Sequence, residues 1–264
     1  MTDEPTDSVR EPYYVQSLER GLAVIRAFDA GHPELTLSEV ARQCGLTRAA
    51  ARRFLLTLGD LGYVRTDGRL FSLTPRVLEL GYAYLSALSL PQIAEPHLER
   101  LVSEVHESSS LSVLDGGDIV YVARVPTTRI MTVAINVGTR FPAYATSMGR
   151  VLLAGLPDEA REAYLEGIEP VRLTSRTLAS VSALRTELER VSRQGYAIVD
   201  QELEEGLRAI AAPVRDRASA VVAAVNVSVH ASRTSVETMR RDLLPPLLAA
   251  TARINADLHV GARR

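Results

Sequence analysis

Cysteine is nearly missing from this chain, since Cys44 is the only one among its 264 residues. One cysteine excludes an internal disulfide and any metal cluster built on several thiolates. Lysine is missing altogether, so all 30 basic residues are arginines. Every cation of the chain can therefore make planar, two-pronged contacts with a carboxylate or a phosphate group.

Long apolar runs are missing as well. No stretch approaches the ~20 residues that a membrane-spanning helix needs, and the first residues lack the apolar core of a secretory signal. Residues 1–12 are polar, acidic and contain two prolines, which predicts a disordered tail. We therefore expect a cytoplasmic protein that is long enough for two domains.

The sequence also lacks a glycine-rich phosphate loop and any histidine spacing typical of a metal site. We therefore predict no metal and no cofactor. The histidines without a ligand pattern are His32, His97, His106 and His259. An acidic run is interpreted as an exposed, solvated turn rather than a cation site, and it contains Asp200, Glu202, Glu204 and Glu205.

The most informative segment that is present, residues 36–73, reads as two short helices, a turn between them and a hairpin after them. Thr36 and Glu39 form a capping box, in which each side chain reaches the backbone N–H of the other residue. Gly45 stands where the first helix must end in a turn with positive φ. Cys44 falls on the apolar side of this helix and is interpreted as a structural thiol. The order of elements predicts a winged helix-turn-helix.

The second helix, predicted over residues 47–61, has one apolar face and one basic face. At about 100° per residue the core face is expected to hold Ala50, Ala51, Phe54, Leu58 and Leu61. The opposite face holds Ala49, Arg52, Arg53 and Leu56. Guanidinium groups that bind guanine edges or phosphates, next to methyl groups that touch thymine, are what a recognition helix needs in a major groove.

The hairpin is predicted from Asp67 and Gly68, a pair typical of a type I′ turn, with Arg65 and Arg69 near its tip. Within residues 36–76 there are seven arginines and three acidic residues, a local excess of four positive charges in a chain of net charge −2. This excess favours DNA binding over an ordinary helical hairpin with a solvated face. The predicted DNA contacts are Thr47, Arg48, Ala49, Arg52, Arg53, Leu56, Arg65 and Arg69.

Two more helices are predicted beside this module. A helix over residues 17–30 is expected to complete its core with Leu18, Leu22, Ile25 and Phe28. Thr74 and Pro75 mark the start of a linker helix that reaches about residue 88, and Pro91 marks its end. Because the apolar stripe of this linker needs a partner, and a second copy is the simplest one, we expect a homodimer or a dimer of dimers.

The remaining chain predicts an α+β domain with an antiparallel sheet. Strands are expected over 109–114, 119–125, 130–137, 207–215 and 220–229. Helices are expected over 96–107, 147–154, 158–166, 182–194 and 235 to about 258. The predicted boundaries are a tail over 1–12, a DNA-binding domain over 13–74, a linker helix over 75–90 and a second domain over 91–258.

Four segments spread over both predicted domains carry a resemblance to known proteins, namely SLERGLAVI at 17–25, the helix-turn-helix with its wing, ATSMGRVLLA at 145–154 and GYAIVDQELEEGLRAIAAPVRD at 195–216. Together they resemble the IclR family of transcriptional regulators. RVPTTRIMTVAINVGTRFPAYATSMGRVLLA, at 124–154, is similar to the branch that regulates aromatic-acid catabolism, which includes the protocatechuate, 4-hydroxybenzoate and β-ketoadipate regulators. The resemblance implies a winged helix-turn-helix followed by a GAF-like effector-binding domain that takes a small organic acid.

The resemblance also implies where the effector binds. The family's ligand loop falls on Met148 and Gly149, whose amides open a predicted helix and could meet a carboxylate at the positive end of its dipole. Val199 stands where some relatives have an acidic residue, which leaves a ligand contact from this segment open. The facing positions fall on two strands, at Leu207, Ala209, Asn226 and Ser228.

Three arginines are candidate counter-charges for an aromatic or dicarboxylic acid, namely Arg124, Arg129 and Arg140. Each could equally be a solvated surface residue. The expected function is a ligand-responsive regulator of aromatic-acid catabolic genes that binds double-stranded DNA. A regulator of another pathway, sensing a different small carboxylic acid, is the alternative.

An enzyme is a second alternative. Residues 145–149 resemble the nucleophile elbow of a serine hydrolase around Ser147, and Asp200 and His230 follow in the required order. However, Pro142 would break the buried strand that must deliver the serine, and no alternating strand-helix pattern precedes it. Ser147 is therefore interpreted as the N-cap of the following helix, and the chain as a regulator without catalysis.

A DNA-binding protein whose second domain only oligomerises is the third alternative. The size of that domain exceeds what dimerisation needs, which favours an effector. A ligand that binds the native state would raise the melting temperature, and this separates the two readings.

Overall fold

The computed structural model describes residues 13–29, 31–80, 89–127 and 135–261. The chain forms two compact units, Met1–Tyr84 and Leu85–Arg264, and each has a hydrophobic core of its own. None of the helices within these described ranges combines the length and the apolar composition that crossing a membrane requires.

Within the described residues up to 74, the N-terminal unit forms three helices and a small sheet. The helices are α1 (Gln16–Arg26), α2 (Leu37–Gln43) and α3 (Arg48–Asp60). The strands are β1 (Glu34–Thr36), β2 (Val64–Thr66) and β3 (Leu70–Leu73), with β3 between the other two and antiparallel to both. This is the predicted winged helix-turn-helix. Strand β1 is absent from the sequence prediction because three residues are too few to show a period.

The core of this unit differs from the predicted one at three positions. Leu18 and Leu22 are 62% and 44% exposed, and Val24 is buried instead, while the other two predicted residues, Ile25 and Phe28, do pack in the core. Leu61 is 52% exposed since it follows the end of α3, and Leu55 takes a core position instead. The buried apolar residues are Val24, Phe28, Leu35, Val40, Ala41, Ala51, Leu55, Leu58 and Val64.

The predicted turn between α2 and α3 is confirmed. The Glu39 N–H donates to Thr36 Oγ1 at 3.4 Å, and the Glu39 carboxylate accepts the Thr36 N–H at 2.8 Å, so the capping box is complete. Gly45 has φ +62°. Cys44 is half-buried, and burial raises the pKa of its thiol, which keeps it protonated and suits a structural role.

The predicted linker helix is only partly covered by the structure. Thr74 accepts the N–H of Arg76 at 3.3 Å, and a 3₁₀ turn follows over Pro75–Val77. Residues 81–88 lie outside the described residues. Helix α4 (Ser89–Val105) contains Pro91, and the predicted end of the linker helix, near residue 88, lies outside the described residues.

The C-terminal unit is built on a six-stranded sheet in which all neighbours are antiparallel. Its spatial order is β6-β5-β4-β9-β8-β7. The strands are β4 (Ser108–Asp115), β5 (Asp118–Val125), β6 (Arg140–Pro142), β7 (Ala197–Asp200), β8 (Leu207–Arg215) and β9 (Val221–His230). The predicted α+β fold is confirmed.

Helices cover both faces of this sheet. They are α4, α5 (Ser147–Ala154), α6 (Asp158–Gly167), α7 (Val181–Gln194), α8 (Val236–Thr238) and α9 (Leu244–Gly261), with a π-helical turn Met239–Leu243 between the last two. Side chains of α4 and α9 pack with Ile210 and Val227 on one face. Side chains of α5 and α7 pack with Ala211 and Ala224 on the other face. Successive residues of each central strand therefore serve opposite cores.

Two strands of this sheet are absent from the sequence prediction. Strands β6 and β7 contain three and four residues, too few for a period to be recognised. Most of the predicted strand 130–137 lies outside the described residues, and its described part, residues 135–137, is not a strand. Pro142 ends β6 at the edge of the sheet, where a residue without N–H leaves no ladder bond unmade.

Candidate functional sites

The exposed face of α3 carries free guanidinium groups. Thr47 caps this helix by accepting the N–H of Ala50 at 3.2 Å, and Ala51, Leu55 and Leu58 hold the opposite face in the core. Within the part of the chain that the structure describes, no ion pair or hydrogen bond engages the guanidinium groups of this face. The predicted contact residues of α3 are all exposed, namely Thr47, Arg48, Ala49, Arg52, Arg53 and Leu56.

The wing adds two exposed arginines beside a turn that differs from the predicted one. The Asp67 N–H donates to the Leu70 carbonyl at 3.3 Å, so Gly68 and Arg69 are the central residues. Gly68 alone of these has a positive φ, +99°, whereas a type I′ turn needs a positive φ at both central residues, so the predicted turn type is wrong. The Asp67 carboxylate instead accepts the N–H groups of Leu70 and Arg69 at 2.7 and 2.8 Å, and these bonds lower its pKa. Arg65 Nε donates to a neighbouring serine hydroxyl at 3.1 Å.

A pocket in the C-terminal unit lies between the start of α5 and the sheet. The space between its walls, counted together with the open solvent at its mouth, is about 370 Å³. No charged side chain occurs among its described lining residues. These residues are Tyr121, Ile135, Ala145, Thr146, Ser147, Met148, Val199, Leu203, Leu207, Ala209, Asn226 and Ser228.

The first turn of α5 supplies backbone donors to this pocket. Thr146 is its N-cap and accepts the N–H of Gly149 at 3.0 Å, so the prediction that Ser147 is the N-cap is wrong. The Gly149 amide, predicted to meet the ligand, is therefore occupied, and Gly149 does not line the pocket. The N–H groups of Ser147 and Met148 have no acceptor among the described residues, as expected for the first turn of a helix.

The sheet supplies side-chain donors from β9. Asn226 Oδ1 accepts the N–H of Ser110 at 3.0 Å, and Asn226 Nδ2 donates to Ser228 Oγ at 2.9 Å. One N–H of Asn226 and the hydroxyl proton of Ser228 are therefore left to donate to a ligand. Ala209 is the register partner of both Ser228 and Val199, which places these side chains in one row across three strands. The predicted residues from β8 and β9 thus share one wall.

Tyr121 is a polar pocket residue that sequence reasoning missed. Its side chain is 4% exposed and packs edge-to-face on Phe141, with ring centroids 5.9 Å apart. Its hydroxyl has no hydrogen-bond partner among the described residues, and burial raises its pKa to about 12. It therefore stays protonated and can donate. The alternation of residues in β5 could have predicted which face of the sheet Tyr121 lies on, but it could not have predicted that this position lines the pocket.

The three arginines predicted as counter-charges have different surroundings. Arg140 is exposed on β6, where it pairs with Asp115 at 2.5 Å and Asp118 at 3.3 Å. Because Arg140 binds these two carboxylates of the β4–β5 turn, it does not line the pocket, and its prediction as a pocket residue is wrong. Arg129 lies outside the described residues. Arg124 is half-buried without any ion pair or hydrogen bond among the described residues, and burial lowers its pKa.

Arg124 lies on the pocket side of the sheet. It is the register partner of Ser110, which in turn is the partner of Asn226, so these three side chains form one row across three strands. Its charge also acts on the buried Tyr121 hydroxyl. Arg124 is thus a half-buried, uncompensated cation close to the donors of the pocket, although it is not among the residues that line it.

The acidic run after β7 is not the exposed turn that its composition predicts. Glu202 is only 8% exposed, because Arg150 of α5 binds both of its carboxylate oxygens. Asp200 binds Arg208 and Arg176 at 2.5 and 2.6 Å. Sequence reasoning missed Arg150, since its partner is 52 residues away along the chain.

The residues of the alternative hydrolase are not arranged as a triad. Asp200 is bound by arginines, and His230 Nδ1 hydrogen-bonds the hydroxyl of Ser232 at 2.7 Å. Neither contacts Ser147 in the described structure. Nor do the described residues contain a group of three or more side chains that could hold a metal ion.

Free arginines on a winged helix-turn-helix, together with a separate domain that holds a pocket of hydrogen-bond donors, define a class of protein: a transcriptional regulator that binds DNA and a small-molecule effector. The chain belongs to the IclR family of this class. Residues 17–68 match the IclR helix-turn-helix domain, and residues 82–256 match the C-terminal domain of the bacterial transcriptional regulator IclR. Since the chain belongs to this family of transcriptional regulators, the serine hydrolase alternative is wrong.

Known relatives extend over nearly the whole chain. The Pca regulon regulatory protein of Pseudomonas putida is 45% identical over 242 residues, which is 91% of this chain and 83% of that protein. A crystal structure from Rhodococcus sp. RHA1, described as a transcriptional regulator, is 60% identical with a TM-score of 0.86, and the match covers 93% of this chain and 98% of that one. An IclR homologue from Microbacterium hydrocarbonoxydans, solved with 4-hydroxybenzoate, is 28% identical with a TM-score of 0.82, over 92% and 98% of the two chains.

Proposed function

We propose that α3 enters the major groove of an operator and that the wing contacts the backbone or the minor groove. The six exposed residues of α3 would read base edges and phosphates. Arg65 and Arg69 of the wing would contact phosphates or reach into the minor groove. The support is the set of free guanidinium groups on one face of a capped helix.

We further propose that the protein acts in the cytoplasm as a homodimer or a dimer of dimers. Two copies would place two recognition helices in successive major grooves about 34 Å apart on a pseudo-palindromic site. The linker over residues 75–90 would join a DNA-binding domain over 13–74 to an effector domain over 91–258. Effector binding would change the separation of the two recognition helices.

The proposed effector is a small aromatic acid. Its carboxylate would accept the N–H groups of Ser147 and Met148 at the positive end of α5, with Arg124 as the nearby counter-charge. A second polar group of the ligand would meet the donors of Asn226, Ser228 or Tyr121. Apolar contacts would come from Leu207 and Ala209, which flank these donors in the pocket.

One observation carries this assignment: every polar side chain left free in the pocket can donate a hydrogen bond, and none is an acid. Such a lining favours an anionic ligand over a cationic one such as an amine, which would need an acidic partner. The aromatic class is supported by the relatives, one named for the Pca regulon and one solved with 4-hydroxybenzoate. A non-aromatic carboxylic acid is the alternative, since the same donors would bind its carboxylate.

Fluorescence anisotropy tests both halves of the proposal. Purified protein is titrated into labelled DNA from the region flanking its own gene, at fixed salt, without ligand, with protocatechuate and with β-ketoadipate. We expect binding well above that of unrelated DNA, and a change in affinity with protocatechuate. A change with β-ketoadipate alone would favour the non-aromatic alternative.

The outcomes separate the two halves. Tight DNA binding that neither acid changes would support the assignment as a DNA-binding regulator and count against an aromatic acid as its effector. Binding no stronger than to unrelated DNA, under all three conditions, counts against an operator at that site, and a genome-wide search for bound sites then decides the assignment of α3.

A further inference from the structure

Arg150 is the largest fully buried side chain of the protein's described core and carries a positive charge. It is 1% exposed and lies on α5, two residues after Met148, the second of the pocket's backbone donors. Its Nε donates to the Tyr144 carbonyl at 3.0 Å, and Nη1 and Nη2 donate to the two oxygens of Glu202 at 2.8 and 2.5 Å. This is the two-pronged geometry in which arginine binds a carboxylate most strongly.

Glu202 is fixed from its other side as well. Its Oε2 accepts the N–H of Leu178 at 3.0 Å, and its carbonyl accepts the Thr177 hydroxyl at 2.7 Å. The next residue, Leu203, lines the pocket. The ion pair therefore joins the two sides of the pocket, one formed by the start of α5 and the other by the turn between β7 and β8.

Stability alone is a poor explanation for this pair. Removing two charges from water is expensive, and apolar replacements of buried ion pairs are often neutral or stabilising. What the pair supplies that apolar packing lacks is a fixed geometry. Three directed hydrogen bonds hold Arg150 to two separate segments, and its nearest other acid, Glu187, is 3.8 Å away.

We propose that Arg150 and Glu202 are positioning residues of the effector pocket. They hold the donors of Ser147 and Met148 at a set distance from Leu203, so that a ligand can contact both sides at once. Neither charge touches the ligand. This inference rests on the proposed function in so far as the pocket binds an effector.

The test uses the full-length protein and a paired substitution. Arg150→Met with Glu202→Gln removes both charges at similar volume, so that no single buried charge is left without a partner. The control, Arg185→Met with Glu162→Gln, removes the ion pair between α7 and α6, whose residues do not line the pocket. Three quantities are measured: melting temperature, the Kd for protocatechuate by titration calorimetry, and deuterium uptake of residues 144–150 and 200–207 without ligand.

We expect the Arg150/Glu202 variant to remain folded, with a Kd about tenfold or more above that of the wild type and faster deuterium uptake in both segments. The control should match the wild type in Kd and uptake. A folded variant with wild-type Kd and uptake would overturn the proposal, because the pair would then be merely structural.

Two further results also decide the matter. If the wild type does not bind protocatechuate, the proposed aromatic effector is wrong, while deuterium uptake still decides the positioning role. If the paired variant does not fold, Arg150→Lys is used, which keeps the charge but loses the fork. Unchanged uptake in the lysine variant contradicts the proposal, and faster uptake in both segments supports it.

Discussion

Glycine is required at position 149 because of steric crowding, and not because its amide binds the ligand. A Cβ atom at this position would lie 2.1 Å from the Ala143 carbonyl oxygen, a backbone atom that cannot move away as a flexible side chain could. Its N–H is already donated to Thr146. The glycine that the family resemblance places in the ligand loop is thus needed for the tight approach of the chain before α5.

Gly149→Ala should therefore destabilise the C-terminal unit by about 1–3 kcal/mol or more, as overpacking of a core does. Thermal or urea unfolding measures the loss. Gly167→Ala is the matched control, because a Cβ there would meet nothing within 4 Å. Equal stability of the two variants would show that the segment before α5 adjusts freely.

Arg124 and Arg140 form a natural comparison for the charge near the pocket. Arg124→Met should weaken effector binding by about tenfold, the size expected for a partly desolvated charge contact. Arg140→Met should leave the Kd unchanged, since its guanidinium is bound to Asp115 and Asp118. Titration calorimetry with protocatechuate measures both. Equal Kd values for the two variants would remove Arg124 from the site.

Asp200 makes a stability contribution that depends on pH. Burial raises its pKa, but hydrogen bonds from Arg208 and Gln201 and the charges of Arg208 and Arg176 outweigh burial, so its pKa lies below the ordinary 3.8. A carboxylate with a lowered folded-state pKa stabilises the protein above its unfolded pKa, and this stabilisation is lost as the pH falls through the folded value.

Asp200→Asn should accordingly be less stable than the wild type at pH 7, by about 1 kcal/mol. The difference between the two proteins should shrink below about pH 4. Urea unfolding across this range checks the prediction. Asp158→Asn serves as control, because the Asp158 side chain is 90% exposed. A wild-type advantage that persists undiminished at pH 3 would contradict the assignment.

Helix α3 and the wing are expected to make different kinds of contact. Arg52→Ala should weaken operator binding by about 1–3 kcal/mol and change binding to unrelated DNA little. Arg69→Ala should weaken binding to both DNAs and make binding less dependent on salt. Anisotropy titrations at several salt concentrations measure these effects. Arg241→Ala, an exposed arginine of the other unit, is the control. Wild-type operator affinity in both variants would refute the groove assignment.

Elements with clear end signals could be predicted from the sequence, while the shortest elements could not. Helix α5 has its predicted bounds, 147–154, and strand β8 has its predicted bounds, 207–215. Their ends carry caps, turns or a change of composition. Strands β1, β6 and β7 contain three or four residues, and their partners in the sheet rather than their own periodicity determine them.

The pocket positions on β8 and β9 follow from the family resemblance, and periodicity adds only which of them share a face. Residues two apart on β8 and β9 share a face, which places Ala209 and Ser228 on one wall. Tyr121 and the pair of Arg150 and Glu202 come together only in three dimensions. The composition around Glu202 predicts the wrong environment for it. A run of acidic residues indicates an exposed turn, and nothing near Glu202 in the sequence shows that Arg150 binds it.

The whole molecule consists of two units with separate cores, so an effector should stabilise one of them selectively. A ligand that binds only the native state stabilises it by about 2.7 kcal/mol at a concentration 100 times its Kd. For a unit of this size each kcal/mol raises the melting temperature by about 2–4 °C. We therefore expect protocatechuate to raise the melting transition of Leu85–Arg264 by about 5–10 °C.

Differential scanning calorimetry of the full chain measures this shift, and deuterium exchange assigns it. Uptake should slow in residues 144–150 and 200–207, which contain the pocket, and α1 of the N-terminal unit should exchange as before. Arg124→Met supplies the matched control, since it should fold normally and need more ligand for the same shift. Because mass action requires any native-state ligand to stabilise the unit it binds, an unchanged transition at saturating acid would exclude this acid as the effector. Slowed exchange in α1 alone would place the acid in the other unit.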